Sequence, residues 1–460
     1  MIFEDKTQFQ KEQDELLKMV LDLRYFNPWR KAGREGFDDY SSVNDTSLEI
    51  YLTSSCNQKC EYCYLHKYPE LYPAEFNKKD LIMKNLKILY DWCIEENMYI
   101  PKLDLFCGDI WQWDWGLEFF QVTWDAIERG LNTPVITIPS NCSFLRDWEQ
   151  TCKIQKWIDK FRDRGVYVGF SISVDGKPIE DVNRPFASIK DKEKDDEFYE
   201  RMMMFAIHNN YGFHPMVAAV TIEKWIENHK WWEELFKKYD RDVDDGLMML
   251  EVRNHDWTPE KMQAYVDFMK YLIDRQIMRH NGSVKEFALG LFGLAPSYNS
   301  GYVPYSPAPL DTFAGCTVCN SLTVRIGDLA IAPCHRQAYN KFLYGHFKVE
   351  NDKIVGITAN NPQHAIRILM ANNNICHLGC DSCEIARYCL KGCYGAQYEA
   401  TNDPFIPDDL VCQFFRYKWK GLMNYYQEIG VLDALREVGP YCEQFEEIQE
   451  FLRFYEKVKD

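Results

Sequence analysis

The distribution of cysteine is the feature that most restricts how this chain can fold. Of its 17 cysteines, 12 fall in two groups, Cys56–Cys63 and Cys316–Cys412. The N-terminal segment Met1–Leu23 is charged and helix-like, unlike a secretory signal, so we expect a cytoplasmic protein whose thiols stay reduced. Clustered, reduced cysteines are typical of metal ligands rather than disulfides. The remaining five, expected mostly to be small core residues, are Cys93, Cys107, Cys142, Cys152 and Cys442.

Composition limits the classes of partner. The 460 residues are 46% hydrophobic and 15% aromatic, enough for a sizeable core. The formal net charge of −17 argues against nucleic acid as the main partner, because backbone binding needs clustered Lys and Arg. We see no apolar stretch of the length needed to span a bilayer, so we expect no membrane partner either.

Short apolar runs alternate with helix-period segments between residues 47 and 280. The expected strands are Leu48–Leu52, Leu103–Phe106, Pro134–Ile138, Val166–Ser173, Pro215–Thr221 and Leu247–Val252. Helices are expected at Asp80–Glu95 and at Pro259–Arg279, the second capped by Thr258. Six strand–helix units predict a parallel sheet, two units short of a complete barrel. The α/β fold is therefore expected to contain a partial (β/α)6 TIM-like barrel.

Changes in composition and in helical periodicity along the sequence divide the chain into four segments. These are an N-terminal helical extension (1–46), the partial barrel (47–300), a small cysteine-rich domain (301–415) and a C-terminal helical segment (416–460). The Pro- and Gly-rich stretch Ser297–Pro309 is expected to be a linker, and the charged run Lys190–Glu197 a solvated loop or helix start. Helical periodicity fades in the cysteine-rich domain, whose fold we expect to depend on its metal ligands.

The first cysteine group directly follows the first strand. It is the CX3CX2C motif of Cys56, Cys60 and Cys63, with Tyr62 before the last cysteine. Three thiolates can hold three irons of a cubane and leave the fourth iron open. The alternative interpretation is a structural zinc site, in which all coordination positions of the metal are filled. The motif resembles the signature of the radical S-adenosylmethionine (SAM) superfamily. The resemblance implies a [4Fe–4S] cluster whose open iron binds SAM and whose reduction yields a 5′-deoxyadenosyl radical.

Later positions resemble the SAM-contacting pattern of that superfamily. Cys107-Gly108-Asp109 stands where relatives usually carry Gly-Gly-Glu, so Cys107 is either a simple glycine replacement or a thiol near the cluster. Ser173 and Asp175 resemble the Ser-x-Asp-Gly segment near the SAM ribose. The SAM contacts implied in this way are Tyr62, Cys107, Gly108, Asp109, Asn141, Ser173, Asp175, Thr221 and Glu251.

The second cysteine group resembles the SPASM domain, a two-cluster extension of radical SAM enzymes that act on peptides. Its core is the CX2CX5CX3C run Cys380–Cys393 followed by Cys412. The resemblance implies auxiliary cluster I on Cys316, Cys319, Cys334 and Cys393, and auxiliary cluster II on Cys380, Cys383, Cys389 and Cys412. Gly327 lies seven residues before Cys334, where relatives often have five, and Cys376 is an extra thiol. A pair of zinc sites is the alternative.

The combined resemblance implies three [4Fe–4S] clusters, SAM and an enzyme that modifies a peptide or protein. We expect hydrogen abstraction from a peptide residue, and a thioether or carbon–carbon crosslink in a ribosomally made peptide. A reducing partner such as flavodoxin or ferredoxin is also implied. His335 stands where sulfatase maturases usually carry an Asp base, and it is our candidate catalytic residue.

Other functions fit the same motifs. One is a radical SAM dehydrogenase of a small molecule, or an oxidase resembling the sulfatase maturases. Another is a non-catalytic iron–sulfur protein, against which Asp109 and the Ser173/Asp175 pair argue. Residues 1–46 look too short for a complete winged-helix leader-binding domain, so leader recognition is expected to be absent, minimal or supplied by another protein.

Overall fold

The computed structural model describes most of the chain. The described residues are 6–41, 43–106, 108–111, 113–187, 195–252, 254, 256–292, 320–371, 380, 382–386, 388–389, 392–438 and 444–459. Among the expected site residues, Cys107, Cys316 and Cys319 lie outside them, as do Cys376 and the expected linker Ser297–Pro309.

A mixed sheet with a parallel centre organises the molecule. The strands are β1 Ser47–Tyr51, β2 Leu103–Phe106, β3 Val135–Ser140, β4 Tyr167–Ile172, β5 Met216–Val217, β6 Leu250–Glu251, β7 Ser321–Arg325, β8 Ala330–Ala332, β9 Gly345–Glu350 and β10 Lys353–Ala359. One sheet has the order β10-β9-β8-β7-β1-β2-β3-β4, and β5 pairs with β6 in parallel. Parallel bridges from Ile172 to Phe213 and from Phe213 to Leu247 continue the wall from β4 towards β6. The predicted α/β fold with a partial barrel is therefore confirmed.

Helices alternate with the barrel strands and also precede and follow the sheet. They are α1 Lys6–Leu21, α2 Asn27–Ala32, α3 Tyr64–Lys67, α4 Lys79–Glu95, α5 Asp114–Glu128, α6 Trp148–Asp163, α7 Glu180–Asn183, α8 Asp196–Asn209, α9 Trp225–Lys237, α10 Pro259–Arg279, α11 Val284–Gly290, α12 Pro362–Ala371, α13 Tyr394–Thr401, α14 Asp409–Glu428, α15 Val431–Val438 and α16 Phe445–Val458. The expected cap is present, since Thr258 accepts a hydrogen bond from the Lys261 N–H at the start of α10. None of the helices in the described part of the chain combines the length and the apolar character that crossing a membrane requires.

The four strands β7–β10 were not predicted. β7 pairs in parallel with β1, in a register that places Ser47 beside Ser321 and Tyr51 beside Arg325. β8, β9 and β10 then continue the sheet as an antiparallel meander. The chain after the expected linker therefore returns to the barrel and extends its sheet, and the boundary at residue 301 stays a prediction.

The N-terminal segment covers part of this extended sheet. Trp29 is buried, and its indole N–H donates to the Thr46 hydroxyl at 2.8 Å. α1 lies against β10, where the Ala359 N–H donates to an Asp14 carboxylate oxygen at 2.7 Å. Burial of Trp29 anchors this segment next to the start of β1.

Candidate functional site

The CX3CX2C motif lies on the loop between β1 and α3, which we call the cluster loop (Thr53–Cys63). Its backbone touches the segment after β2, where the Gly108 N–H donates to the Thr53 carbonyl at 2.7 Å. A Cβ atom at Gly108 would lie 1.8 Å from the Ser55 carbonyl oxygen. Only glycine permits this approach, so the expected Gly108 is a positional requirement of the cluster loop.

The three thiols of the cluster loop lie close enough to influence one another. Burial raises the pKa of Cys56 to about 12, and the neighbouring Asp109 carboxylate adds to the shift. Burial also raises the pKa of Cys60 and of Cys63. Within the described residues, no three His, Cys, Asp or Glu side chains are grouped so as to hold a metal ion.

Backbone N–H groups donate to two of the three sulfur atoms of the cluster loop. The Gln58 N–H donates to Cys56 Sγ at 3.4 Å. The N–H groups of Leu65 and His66, in the first turn of α3, act as hydrogen-bond donors to Cys63 and favour its thiolate. Because such donors stabilise negative charge on sulfur, the loop fits an iron–sulfur group held by three thiolates.

Asp109 and Asn141 meet beside Cys56. One oxygen of Asp109 accepts hydrogen bonds from the Ser140 hydroxyl at 2.8 Å and from the Asn141 backbone N–H at 2.6 Å. The Asn141 amide donates to the Asn57 side-chain oxygen at 2.8 Å and lies 3.9 Å from Cys56 Sγ. Two residues expected to contact SAM, on loops after different strands, are thus joined directly to the cluster loop.

Asp175 is fully buried, and its carboxylate makes close contacts with four neighbours. Its carboxylate accepts hydrogen bonds from the Tyr62 hydroxyl, the Asn183 amide and the Met216 N–H, each at 2.8 Å, and pairs with Arg184 at 3.0 Å. Asp175 therefore ties the end of β4 to Tyr62 of the cluster loop. Thr221 joins the same network, because its hydroxyl donates to the Asn183 side-chain oxygen at 2.9 Å.

The backbone of residues 183–185 runs beside the cluster loop and pairs with it. This contact was not predicted from the sequence. The Glu61 N–H donates to the Asn183 carbonyl at 2.9 Å, and the Lys59 N–H donates to the Pro185 carbonyl at 2.7 Å. Between these two contacts, the Arg184 guanidinium lies 5.4 Å from the Tyr62 ring centroid. Burial opposes the positive charge of Arg184, but Asp175 raises its pKa well above the usual value. No spacing pattern in the sequence identifies Arg184 as a residue of the site, because its partner Tyr62 is far from it along the chain.

The two remaining expected SAM contacts, Ser173 and Glu251, lie in different parts of the barrel. The Ser173 N–H donates to the Ser140 carbonyl at 2.7 Å, which joins the ends of β3 and β4. Glu251 is buried and accepts hydrogen bonds from the Lys418 ammonium at 2.6 Å and the Tyr265 hydroxyl at 2.8 Å. Glu251 thus links β6 to α10 and to the C-terminal helix α14.

A cleft opens beside Tyr62, next to the ends of β5 and β6. Its volume is about 400 Å³, within the usual range for sites of small molecules. Its walls include Ala218, Ala219, Asn254, Trp257 and Lys261. The cleft therefore adjoins the residue that directly precedes Cys63.

Four cysteines of the second group also lie around a common space. All four expected ligands of auxiliary cluster II, which are Cys380, Cys383, Cys389 and Cys412, line one cavity. Burial raises the pKa of Cys412 to about 11, and Cys380 adds to the shift. The Arg416 guanidinium lies 3.7 Å from Cys383 Sγ. A cavity walled by four thiols fits a four-thiolate cluster.

Two expected ligands of auxiliary cluster I are described. Cys334 directly precedes the short helix His335–Gln337, and Cys393 directly precedes α13. These two segments are tied by the ion pair of Arg336 with Glu399, in which Nε donates to Oε1 at 3.0 Å. The other expected ligands of this cluster, Cys316 and Cys319, lie outside the described residues.

His335 lies against the inner face of β1 and β2. Its Nδ1 and its backbone N lie 3.0 and 2.9 Å from one Glu49 oxygen, and its ring stacks on Phe106 at 3.8 Å. Burial alone would raise the pKa of Glu49, but His335 and a hydrogen bond from Thr323 lower it. Sequence reasoning missed Glu49, although a carboxylate in the centre of a buried strand was the available signal.

Comparison with known proteins supports the fold. No protein-family model and no curated protein matches the chain. Native anSMEcpe with bound AdoMet, an anaerobic sulfatase-maturating enzyme, aligns at a TM-score of 0.53 and 17% identity over 83% of this chain and 99% of that chain. The histidine-tagged form with AdoMet aligns at 0.52 and 16% over 89% and 98% of the two chains. The form with AdoMet and the Cp18Cys peptide aligns at 0.51 and 18% over 83% and 99%. At this identity the likeness shows that the chain shares the fold of these structures, in agreement with the predicted α/β fold with a partial barrel.

Proposed function

We propose that the protein is a radical SAM enzyme that modifies a peptide or protein, with one SAM-binding cluster and two auxiliary clusters. The observation that carries this proposal is the position of the CX3CX2C loop at the carboxyl ends of the parallel strands. There it lies beside Asp109 and Asn141, in a partial barrel that shares its fold with the anSMEcpe structures. Ligand sites of parallel α/β folds lie at this edge.

Cys56, Cys60 and Cys63 would hold the SAM-binding [4Fe–4S] cluster. When bound and reduced, this cluster with SAM supplies a 5′-deoxyadenosyl radical that abstracts hydrogen from carbon. Gly108 lets the loop after β2 approach the cluster loop, and Asp109 places a carboxylate for the SAM ammonium group. Asp175 and Arg184 hold the Tyr62 side of the cluster loop in place, so we propose a positioning role for them.

Cys334 and Cys393, with Cys316 and Cys319, would hold auxiliary cluster I. The four thiols of the second cavity would hold auxiliary cluster II. With all eight ligands in use, neither cluster offers an open iron, which suits electron transfer or a structural role. The buried Glu251–Lys418 pair positions α14, and with it Cys412, against the barrel.

We propose that the substrate approaches through the cleft beside Tyr62 and that its reacting residue meets His335 inside the barrel. Glu49 holds Nδ1 of His335, so Nε2 is the ring nitrogen that can take up a proton. Two of the anSMEcpe structures contain AdoMet, and a third contains AdoMet with the Cp18Cys peptide. A peptide is therefore the substrate class to test first. A thioether or carbon–carbon crosslink is the product we propose.

The test is anaerobic reconstitution followed by iron and sulfide analysis and a SAM-cleavage assay with dithionite. Three cubanes correspond to about twelve irons per chain. We expect this content together with 5′-deoxyadenosine formation. Mass spectrometry of candidate peptides would then detect a loss of two hydrogens upon crosslinking.

Matched variants separate the clusters. Replacing Cys56, Cys60 and Cys63 with Ala should remove about four irons and all SAM cleavage, whereas replacing Cys380 and Cys383 should remove about four irons and retain cleavage. Zinc in place of iron would contradict the cluster assignment. Full iron content without 5′-deoxyadenosine would point to an electron-transfer protein, and cleavage coupled to a small molecule would point to a dehydrogenase.

A further inference from the structure

One partly buried guanidinium belongs to a segment that carries an expected cluster ligand and contacts two others. Arg336 lies two residues after Cys334, and its side chain is 17% exposed. It belongs to the short helix His335–Gln337. The role proposed above for the cysteines does not use this residue.

The first contact joins Arg336 to the segment of Cys393. α13 starts directly after Cys393, and a Cβ atom at Gly395 would lie 2.5 Å from Arg336 Cγ and 2.6 Å from its carbonyl oxygen. One turn further along, Glu399 binds the guanidinium through both carboxylate oxygens. Arg336 is therefore fixed on α13 by close packing and by a two-point ion pair.

The second contact joins Arg336 to the cluster loop. The guanidinium carbon lies 5.3 Å from the ring centroid of Tyr64, the residue directly after Cys63. Tyr64 also lies 5.6 Å from the His335 ring, so the aromatic ring fills the space between the two ligand segments. One cation thus lies between Cys63 on one side and Cys334 and Cys393 on the other.

The electrostatic influence of Arg336 extends to both sides. On one side, Arg336 follows Cys334 by two residues and packs against the first turn of α13, directly after Cys393. On the other side, it faces the ring of Tyr64, directly after Cys63. In a buried setting, charges act on each other far more strongly than in water.

We propose that Arg336 is a positioning residue that favours the reduced state of the SAM-binding cluster and of auxiliary cluster I. This inference rests on the proposed function, since it requires clusters at those cysteines. Each reduction adds one electron from the reducing partner and makes the cluster more negative. A fixed cation nearby therefore stabilises the reduced form, while Glu399 offsets part of the effect.

The test is an anaerobic redox titration of the loaded protein followed by electron paramagnetic resonance. Arg336→Gln should lower the reduction equilibrium constant of auxiliary cluster I about tenfold, which is about 59 mV for a one-electron couple. The SAM-binding cluster should shift the same way by less. Glu399→Gln should shift both potentials upward, because it removes the anion and keeps the cation.

Opposite signs for the two variants distinguish an electrostatic role from loss of structure. Arg30 pairs with Asp22 and Glu96 on elements that carry no expected cluster ligand, so Arg30→Gln should change neither potential. If Arg336→Gln does not load iron, Arg336→Lys keeps the charge and should load and retain both reduction equilibrium constants to within a twofold change. Loaded variants with unchanged potentials, or with shifts of the same sign, would overturn the inference. A wild-type protein that binds no iron would instead overturn the proposed function.

Discussion

Replacement of Asp175 tests whether the end of β4 holds the cluster loop. Asp175→Asn keeps the shape of the side chain but removes the charge that pairs with buried Arg184 at 3.0 Å. It also turns an amide N–H₂ toward the donors that surround the carboxylate. Breaking a buried ion pair costs about 3–5 kcal/mol, and each buried donor left unsatisfied costs about 1–3 kcal/mol.

We therefore expect a loss of at least about 3 kcal/mol in the free energy of unfolding. With a slope of about 3 kcal/mol per M, the urea midpoint followed by tryptophan fluorescence should fall by about 1 M. Iron bound at the cluster loop should fall in parallel, since Tyr62 loses its acceptor. The double variant Asp175→Asn/Arg184→Met should lose less than the sum of the two single variants, because the pair is coupled.

A different outcome would refute this reasoning. If Asp175 acts only as a contact to the SAM ribose, Asp175→Asn leaves the urea midpoint in place and weakens SAM binding alone. Ser173→Ala is the matched control on the same strand end, and its unfolding free energy should stay within about 0.5 kcal/mol of wild type. A SAM-binding defect in both variants with unchanged stability would restore the ribose-contact interpretation.

Three further predictions follow from buried contacts elsewhere. Lys418→Met should lower the unfolding free energy by about 3–5 kcal/mol in urea titrations by removing the cation that pairs with buried Glu251, and Glu251→Met in the same chain should recover most of the loss. Gly108→Ala should remove about four irons by elemental analysis, because its Cβ would lie 1.8 Å from a carbonyl oxygen of the cluster loop, whereas Gly356→Ala meets nothing within 4 Å and should load fully. Burial lowers the pKa of His364 to about 4 from 6.5, so the unfolded chain binds this proton first, and stability should fall by up to about 1.4 kcal/mol per pH unit as pH drops below 6.5. His364→Phe should remove that slope in urea titrations between pH 5 and 7.

The barrel could be predicted because its signals are local. Each of the six expected strands overlaps an observed strand, since an apolar run and the helix pattern after it occupy adjacent residues. β7 could not be predicted in the same way. Another strand, not a helix, follows β7, and the pairing of β7 with β1 places Ser47 and Ser321 side by side although 274 residues separate them. The nearby cysteines instead suggested a segment organised by metal alone.

In the candidate site, too, the sequence predicts local features but not contacts between distant residues. Cysteine spacing is local, so the sequence predicts the four thiols that line the second cavity. The contacts of Glu49 with His335 span 286 residues, and no spacing rule connects them. For Asp175 the sequence identified a residue of the site, but the contacts around its carboxylate emerge only from the folded chain.

The buried Arg184 and the partly buried Arg336 give the candidate site a common electrostatic design. The chain carries a net charge of −17, which opposes adding electrons to any group inside it. Surface charges act at long range and are screened within about 8–10 Å in salt, whereas a buried cation beside a thiolate is screened far less. Arg184 near Cys60 and Arg336 near Cys393 can therefore outweigh the distant acidic surface at the clusters. Each is paired with one carboxylate, Asp175 or Glu399, because an unpaired buried cation would destabilise the fold. The pairing keeps each guanidinium fixed and charged, so its place beside the expected cluster ligands is set by the fold itself.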